Sequence, residues 1–187
     1  MNSAPESKAK RLWTYAEMCA ELPESNLPTE LWNGEIIQPP TPTPLHQTIV
    51  AGLMSALDDF VRTKKRGQVF IGPLDVVLTQ SRVVQPDILF ISNARRDIVV
   101  NCIDGAPDLA MEIVSQESAH RDRAEKKALC EQVGIAEYWI IDPASRCIEV
   151  FALVNGVYQL HSRAADTELA KSKLLPGFKV SFGQLLA

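Results

Sequence analysis

The chain of 187 residues has no C-x-x-C pair. Its four cysteines, Cys19, Cys102, Cys130 and Cys147, have the spacing of neither a zinc site nor a disulfide framework. Reduced thiols in a cytoplasmic setting are the expectation. No apolar run approaches the roughly 20 residues that a spanning helix needs. The segment Met1–Lys10 is polar and lacks an apolar stretch, so no secretory leader is expected. Positive charge is also short: the net charge is −4, so no global field draws in a polyanion, and nucleic-acid binding would need a local basic patch. Repeats and long low-complexity tracts are missing as well. What remains is ordinary for a globular protein, with 46% hydrophobic and 22% charged residues.

The pattern divides into a short extension, residues 1–30, and one domain, 31–187. Thr14 followed by Glu17 has capping-box spacing and predicts a helix over 12–22. Asn33-Gly34 predicts a type I′ hairpin within 31–37. Pro39 to Pro44 is an extended connector. Leu45, Ile49, Leu53, Leu57 and Val61 recur at helical spacing, and Lys64-Lys65-Arg66-Gly67 ends that helix with Gly67 expected at C′. Strands follow around Gly72-Pro73, then at 83–91 and 108–114. A charged amphipathic helix over 117–133, a strand from Glu137, and a hairpin through Asn155-Gly156 complete the core. The apolar tail is expected to cover a sheet edge. Helix, strands, helix, strand is an α/β order with a mixed sheet and additional antiparallel strands.

Two carboxylates stand out. Asp87 lies in Val83-Val84-Gln85-Pro86-Asp87-Ile88-Leu89-Phe90-Ile91, and Glu112 in Leu109-Ala110-Met111-Glu112-Ile113-Val114. Continuous apolar runs read as strands covered on both faces. A lone charge there costs several kcal/mol, about the penalty for an unpaired buried ion, unless something pairs with it. Two such charges suggest one shared divalent cation.

These residues and their order resemble the PD-(D/E)XK nucleases, and within them the Uma-type restriction-endonuclease family. The resemblance covers about 30–180. It rests on Asn33-Gly34-Glu35-Ile36, Pro44-Leu45-His46-Gln47, Gly72-Pro73-Leu74-Asp75-Val76, Gln85-Pro86-Asp87, Gly105-Ala106-Pro107-Asp108, Glu112-Ile113-Val114-Ser115, Arg121 to Lys126, and Gly134 to Trp139. It implies a restriction-endonuclease-like αβββαβ core and a Mg²⁺-dependent endonuclease acting on nucleic acid, with DNA the expected substrate and Mn²⁺ an alternative ion. Asp87 and Glu112 are implied as metal ligands. The lysine that the superfamily places two residues after the second carboxylate is Val114 here. In the Uma-type pattern it comes from the next helix, at Lys126.

Lys126 and Lys127 both sit on that helix. Lys126 falls nearer the apolar stripe of Leu129 and Val133, although either could pair with Asp122 or Glu131 on a solvated face. His46, at a helix start, could donate to a phosphate. Glu35 and Asp75 are candidate outer ligands, or solvated strand carboxylates. Gln85 shares the face of Asp87 and is a candidate supporting donor. Lys64-Lys65-Arg66 and Arg95-Arg96 could meet phosphates, or be helix-end and loop cations. Trp139, the 148–161 hairpin and the tail suggest a homodimer or larger homo-oligomer. Two other functions fit the same residues: a non-catalytic binding module on a nuclease fold, or a phosphodiesterase for a small nucleotide.

Overall fold

The computed structural model describes residues 11–23, 27–115 and 117–186. Helix α1 (Tyr15–Glu21) has the expected capping box, with Thr14 and Glu17 each accepting from the other's backbone. Strands β1 (Glu30–Trp32) and β2 (Glu35–Ile37) form the hairpin, and Asn33 and Gly34 both take positive φ, as a type I′ turn requires. Helix α2 (Pro44–Lys64) starts with proline inside its first turn and Thr43 as N-cap. Ile49, Leu53, Leu57 and Val61 form its buried stripe. Its left-handed cap is Lys65, at φ 51°, and not Gly67. Gly67 instead opens β3 (Gly67–Ile71), where a Cβ would lie 2.0 Å from the Ile91 carbonyl oxygen. Close backbone approach, rather than a cap, requires glycine there.

The predicted 83–91 strand is two strands in two sheets. After β4 (Val76–Thr79), β5 (Arg82–Val84) pairs with β1 and β4, whereas β6 (Ile88–Ser92) pairs with β3. Pro86 has no N–H for a ladder. The Gln85 N–H is taken by the Glu30 carboxylate at 2.9 Å. The chain therefore leaves one sheet at 85 and enters the other at 88.

A 3₁₀ turn (Asn93–Ile98) leads to β7 (Ile103–Asp104), then β8 (Leu109–Ile113). The predicted 117–133 helix is not uniform: residues Arg121–Lys126 are π-helical and only Lys127–Gln132 form α3. Strands β9 (Glu137–Asp142), β10 (Cys147–Val154) and β11 (Val157–Ala165) follow, then the short pair β12 (Ala170–Lys171) and β13 (Lys179–Val180).

The central sheet runs β11-β10-β9-β8-β6-β3, and β8 and β9 are parallel within an otherwise antiparallel ladder. Reading α2, β3, β6, β8, α3, β9 along the chain gives αβββαβ. A second sheet, β2-β1-β5-β4-β7, is built from the hairpin before α2 and from segments between the core strands. On one face of the central sheet α2 packs on Met111, Ile113, Trp139 and Ile141. The tail joins it there through Phe178, Val180, Phe182 and Leu185, so it covers a face and not an edge. Trp139 is thereby fully buried, and the large apolar side chains that β11 leaves exposed are Val157 and Leu160. On the opposite face Ala110, Val114, Tyr138 and Ile140 meet Cys130 and Ile135. Alternation along β8 puts Glu112 on that second face. Among the described residues no helix is long and apolar enough to cross a membrane.

Candidate active site

The π-helical stretch lies against the Glu112 face of β8. It turns Asp122 and Lys126 inward, and both are buried. The Lys126 ammonium lies 2.9 Å from Glu112 Oε1, 3.0 Å from Glu30 Oε1 and 3.8 Å from Asp122 Oδ1. Lys127 points elsewhere, over the Phe151 ring at 3.6 Å. Glu30 is further held by Arg121 and by the Trp32 indole N–H at 3.3 Å.

Asp87 follows the sheet crossing. Its Oδ2 accepts the Ile113 N–H at 2.7 Å, and its Oδ1 lies 3.2 Å from His46 Nε2. Thr43 caps α2 by accepting the His46 N–H, which fixes that residue in the first turn. Asp87, Glu112, Asp122, Lys126, His46 and Gln85 all line one cleft of about 600 Å³.

Two expected residues do not join them. Asp75 accepts from Gln85 Nε2 at 2.8 Å and from the Tyr15 hydroxyl at 3.1 Å, outside the cleft lining. It can hold Gln85 in place but does not reach the site as an outer ligand. Glu35 lies on β2, opposite Trp32, and is likewise not part of the lining. Two residues that the sequence reading passed over do belong here. Asp122 stands four residues before Lys126, a spacing read as a solvated pair, whereas both side chains are buried. Glu30 gave no local signal, since its cations lie far along the chain.

The charges are unevenly matched. Burial would lower the Lys126 ammonium, but Glu112, Glu30 and Asp122 outweigh burial and raise it well above the ordinary lysine range. Burial pushes the Glu112 carboxyl well up. Lys126 opposes that, while Asp122, Asp87 and Glu30 add to it. Asp122 is raised too, chiefly by burial. Burial would also raise Glu30, yet Lys126, Arg121 and the Gln85 N–H together hold it below the ordinary carboxylate range. The directions agree physically: one ammonium is shared among three carboxylates, and Glu30 alone has a second cation. Burial drives the Cys130 thiol upward, which leaves it protonated and inert.

Among the described residues, no three His, Cys, Asp or Glu side chains converge closely enough to form a metal cage. Mg²⁺ does not require one. It is usually held by one or two carboxylates, with waters and substrate phosphate oxygens completing the shell. Asp87 and Glu112 are hard oxygen donors in a carboxylate-rich cleft, so the residues present fit such an ion.

The chain matches the Uma2 family, described as "Putative restriction endonuclease", over residues 14–183. It belongs to that family. The Uma2 match spans every cleft residue named above. No curated protein matches it. Among solved structures it is similar to a crystal structure of "a putative nuclease belonging to DUF820" from Anabaena variabilis, at 22% identity and a TM-score of 0.75, covering 92% of this chain and 97% of that one. At that identity the likeness shows a shared fold: a mixed α/β nuclease-type architecture.

Proposed function

We propose that this Uma2 protein is a Mg²⁺-dependent endonuclease that hydrolyses phosphodiester bonds of DNA. The observation that carries the reading is the Glu112–Lys126 contact at the floor of a cleft that also contains Asp87. Asp87 and Glu112 would hold the ion, which when bound supplies Lewis-acid polarisation of a phosphoryl oxygen. Mn²⁺ would serve the same donors.

Hydrolysis joins a water oxygen to phosphorus and breaks the bond to the leaving sugar oxygen. The water releases one proton, and the leaving oxygen takes one up. Three carboxylates within 4.0 Å keep Lys126 an ammonium. It therefore suits orienting the incoming oxygen and steadying charge on the phosphoryl group better than abstracting a proton. His46 and the Ile113 N–H fix both oxygens of Asp87, so the carboxylate is oriented before substrate arrives. A homo-oligomer is the accompanying reading for assembly, resting on the exposed β11 edge.

The test is cleavage of a fluorogenic DNA under Mg²⁺ titration, with Asp87→Asn and Glu112→Gln as variants. Activity should require the ion and vanish in both variants while their folds persist. No ion-dependent cleavage by the wild type, or full cleavage by either variant, would leave a non-catalytic binding module as the better reading.

A further inference from the structure

We infer that the cleft accepts a single strand, or a splayed strand end, and not a continuous duplex. This rests on the nuclease reading above and specifies its substrate. The reacting groups lie at the floor: Glu112 is 4% and Lys126 5% exposed. A phosphate must enter the cleft to meet them. The cleft volume, about 600 Å³, is in the range that holds small ligands, roughly 300–1,000 Å³. It has room for a nucleotide unit.

The walls suit exposed bases. Pro39, Pro42, Pro73 and Pro143 line the cleft, together with Leu45 and Ile71, which are 47% and 48% exposed. These offer van der Waals surface to the face of a base. In a duplex those faces are already stacked on their neighbours.

The charges oppose a duplex. Among the described residues Lys126 is the one lysine or arginine in the lining, whereas Asp87, Glu112, Glu117 and Asp122 all line it. A duplex brings one negative charge per roughly 1.7 Å of axis and is usually held through many lysine and arginine contacts. The longest run of cations, Lys64-Lys65-Arg66, is at the opposite end of α2 from His46, about 27 Å along the axis. The turn carrying Arg95 and Arg96 is tied to that far end, through Asn93 Nδ2 to the Lys65 carbonyl at 2.7 Å.

The experiment uses the full chain. Fluorescence anisotropy on Glu112→Gln compares a labelled single-stranded oligonucleotide with the blunt duplex of the same sequence. Single-turnover cleavage by the wild type in Mg²⁺ compares the same two. The single strand should bind at least about tenfold tighter and be cut faster. Its log affinity should fall with log salt at a slope of about 0.7–1.4, one or two phosphates. Adding Leu45→Ser with Ile71→Ser should weaken it about fivefold or more, with the melting temperature held. Replacing Lys64, Lys65 and Arg66 by alanine should change it less than about twofold. A duplex bound and cut as well as the single strand would overturn this inference and leave the nuclease reading standing. Binding and cleavage of neither nucleic acid would overturn both.

Discussion

Glu112 and Glu137 sit on parallel neighbouring strands of one sheet, and both are buried, at 4% and 0% exposure. Their surroundings differ in kind. Glu137 accepts from the Trp139 indole N–H and the Ser172 hydroxyl, both at 2.7 Å, and from the Lys173 and Leu174 backbone N–H groups at 2.6 and 2.9 Å. These neutral donors belong to the scaffold and tie the tail to the sheet. Glu112 meets one ammonium, and three more carboxylates act on it. A buried carboxylate whose lone pairs are filled by fixed donors is a structural joint. One whose partner is a shared ammonium at a cleft floor is open to further chemistry.

The sharpest test removes that ammonium. Lys126→Ala should lower single-turnover cleavage by about 10²-fold or more, the scale for a positioned charge-stabilising group. It should also cost stability, about 3–5 kcal/mol, because Glu30, Glu112 and Asp122 lose their common cation. Cleavage is measured well below the melting temperature and normalised to folded protein. Lys127→Ala should do neither, since Lys127 rests on Phe151. Equal losses from the two substitutions would erase the distinction between an ammonium at the site and one on the surface.

The second test exchanges the two glutamates' fates. Glu137→Gln should destabilise by about 2–3 kcal/mol, because in either amide orientation the NH₂ would face an N–H donor, that of Trp139 or those of Lys173 and Leu174. Cleavage per folded molecule should stay near wild type. Glu112→Gln should lose cleavage, yet hold or raise the metal-free melting temperature by relieving carboxylate repulsion. Urea melts and cleavage assays on both proteins read the pair. A stable Glu137→Gln, or a strongly destabilised Glu112→Gln, would reverse the assignment.

That contrast also marks the reach of the sequence. Turn residues, helical spacing and continuous apolar runs are local signals, and they predict the Asn33-Gly34 hairpin, the α2 stripe and the strand that carries Glu112. They cannot separate Glu112 from Glu137, because both read as a glutamate in an apolar run. The donors that differ come from the tail and the π-helical stretch, far away in the chain. The break between Val84 and Ile88 was hidden for a similar reason: an apolar run does not state which sheet each half joins. Pro86 was the available hint. Asp122 was visible only as an ordinary helical pair, since nothing in the sequence marks the π-helical stretch that turns it inward with Lys126. Glu30 acquires meaning from Gln85, Arg121 and Lys126, which only the folded chain brings to it.

The smallest expected effect is in the pH dependence of metal-free stability. Glu112 and Asp122 have raised carboxyls, so above the ordinary carboxylate range, about pH 4, the folded chain binds more protons than the unfolded one. Their contribution is complete at low pH and is lost as pH rises through their folded values. Glu30 has the opposite sign. It is held below the ordinary range, so its contribution is present above about pH 4 and is lost as acid protonates it. The windows are separate, and Glu112→Gln removes one component of the upper window. The stability of Glu112→Gln relative to wild type should therefore grow with pH above about 5, by at most about 1.4 kcal/mol per pH unit, the slope for one proton. It should level off once Glu112 is ionised and shrink on adding Mg²⁺, which would stabilise the charged carboxylate. Urea melts of both proteins in EDTA, from about pH 4 to pH 8, measure this directly. A difference that stays flat across that range would mean that Glu112 is charged and satisfied throughout, and so held as Glu137 is held.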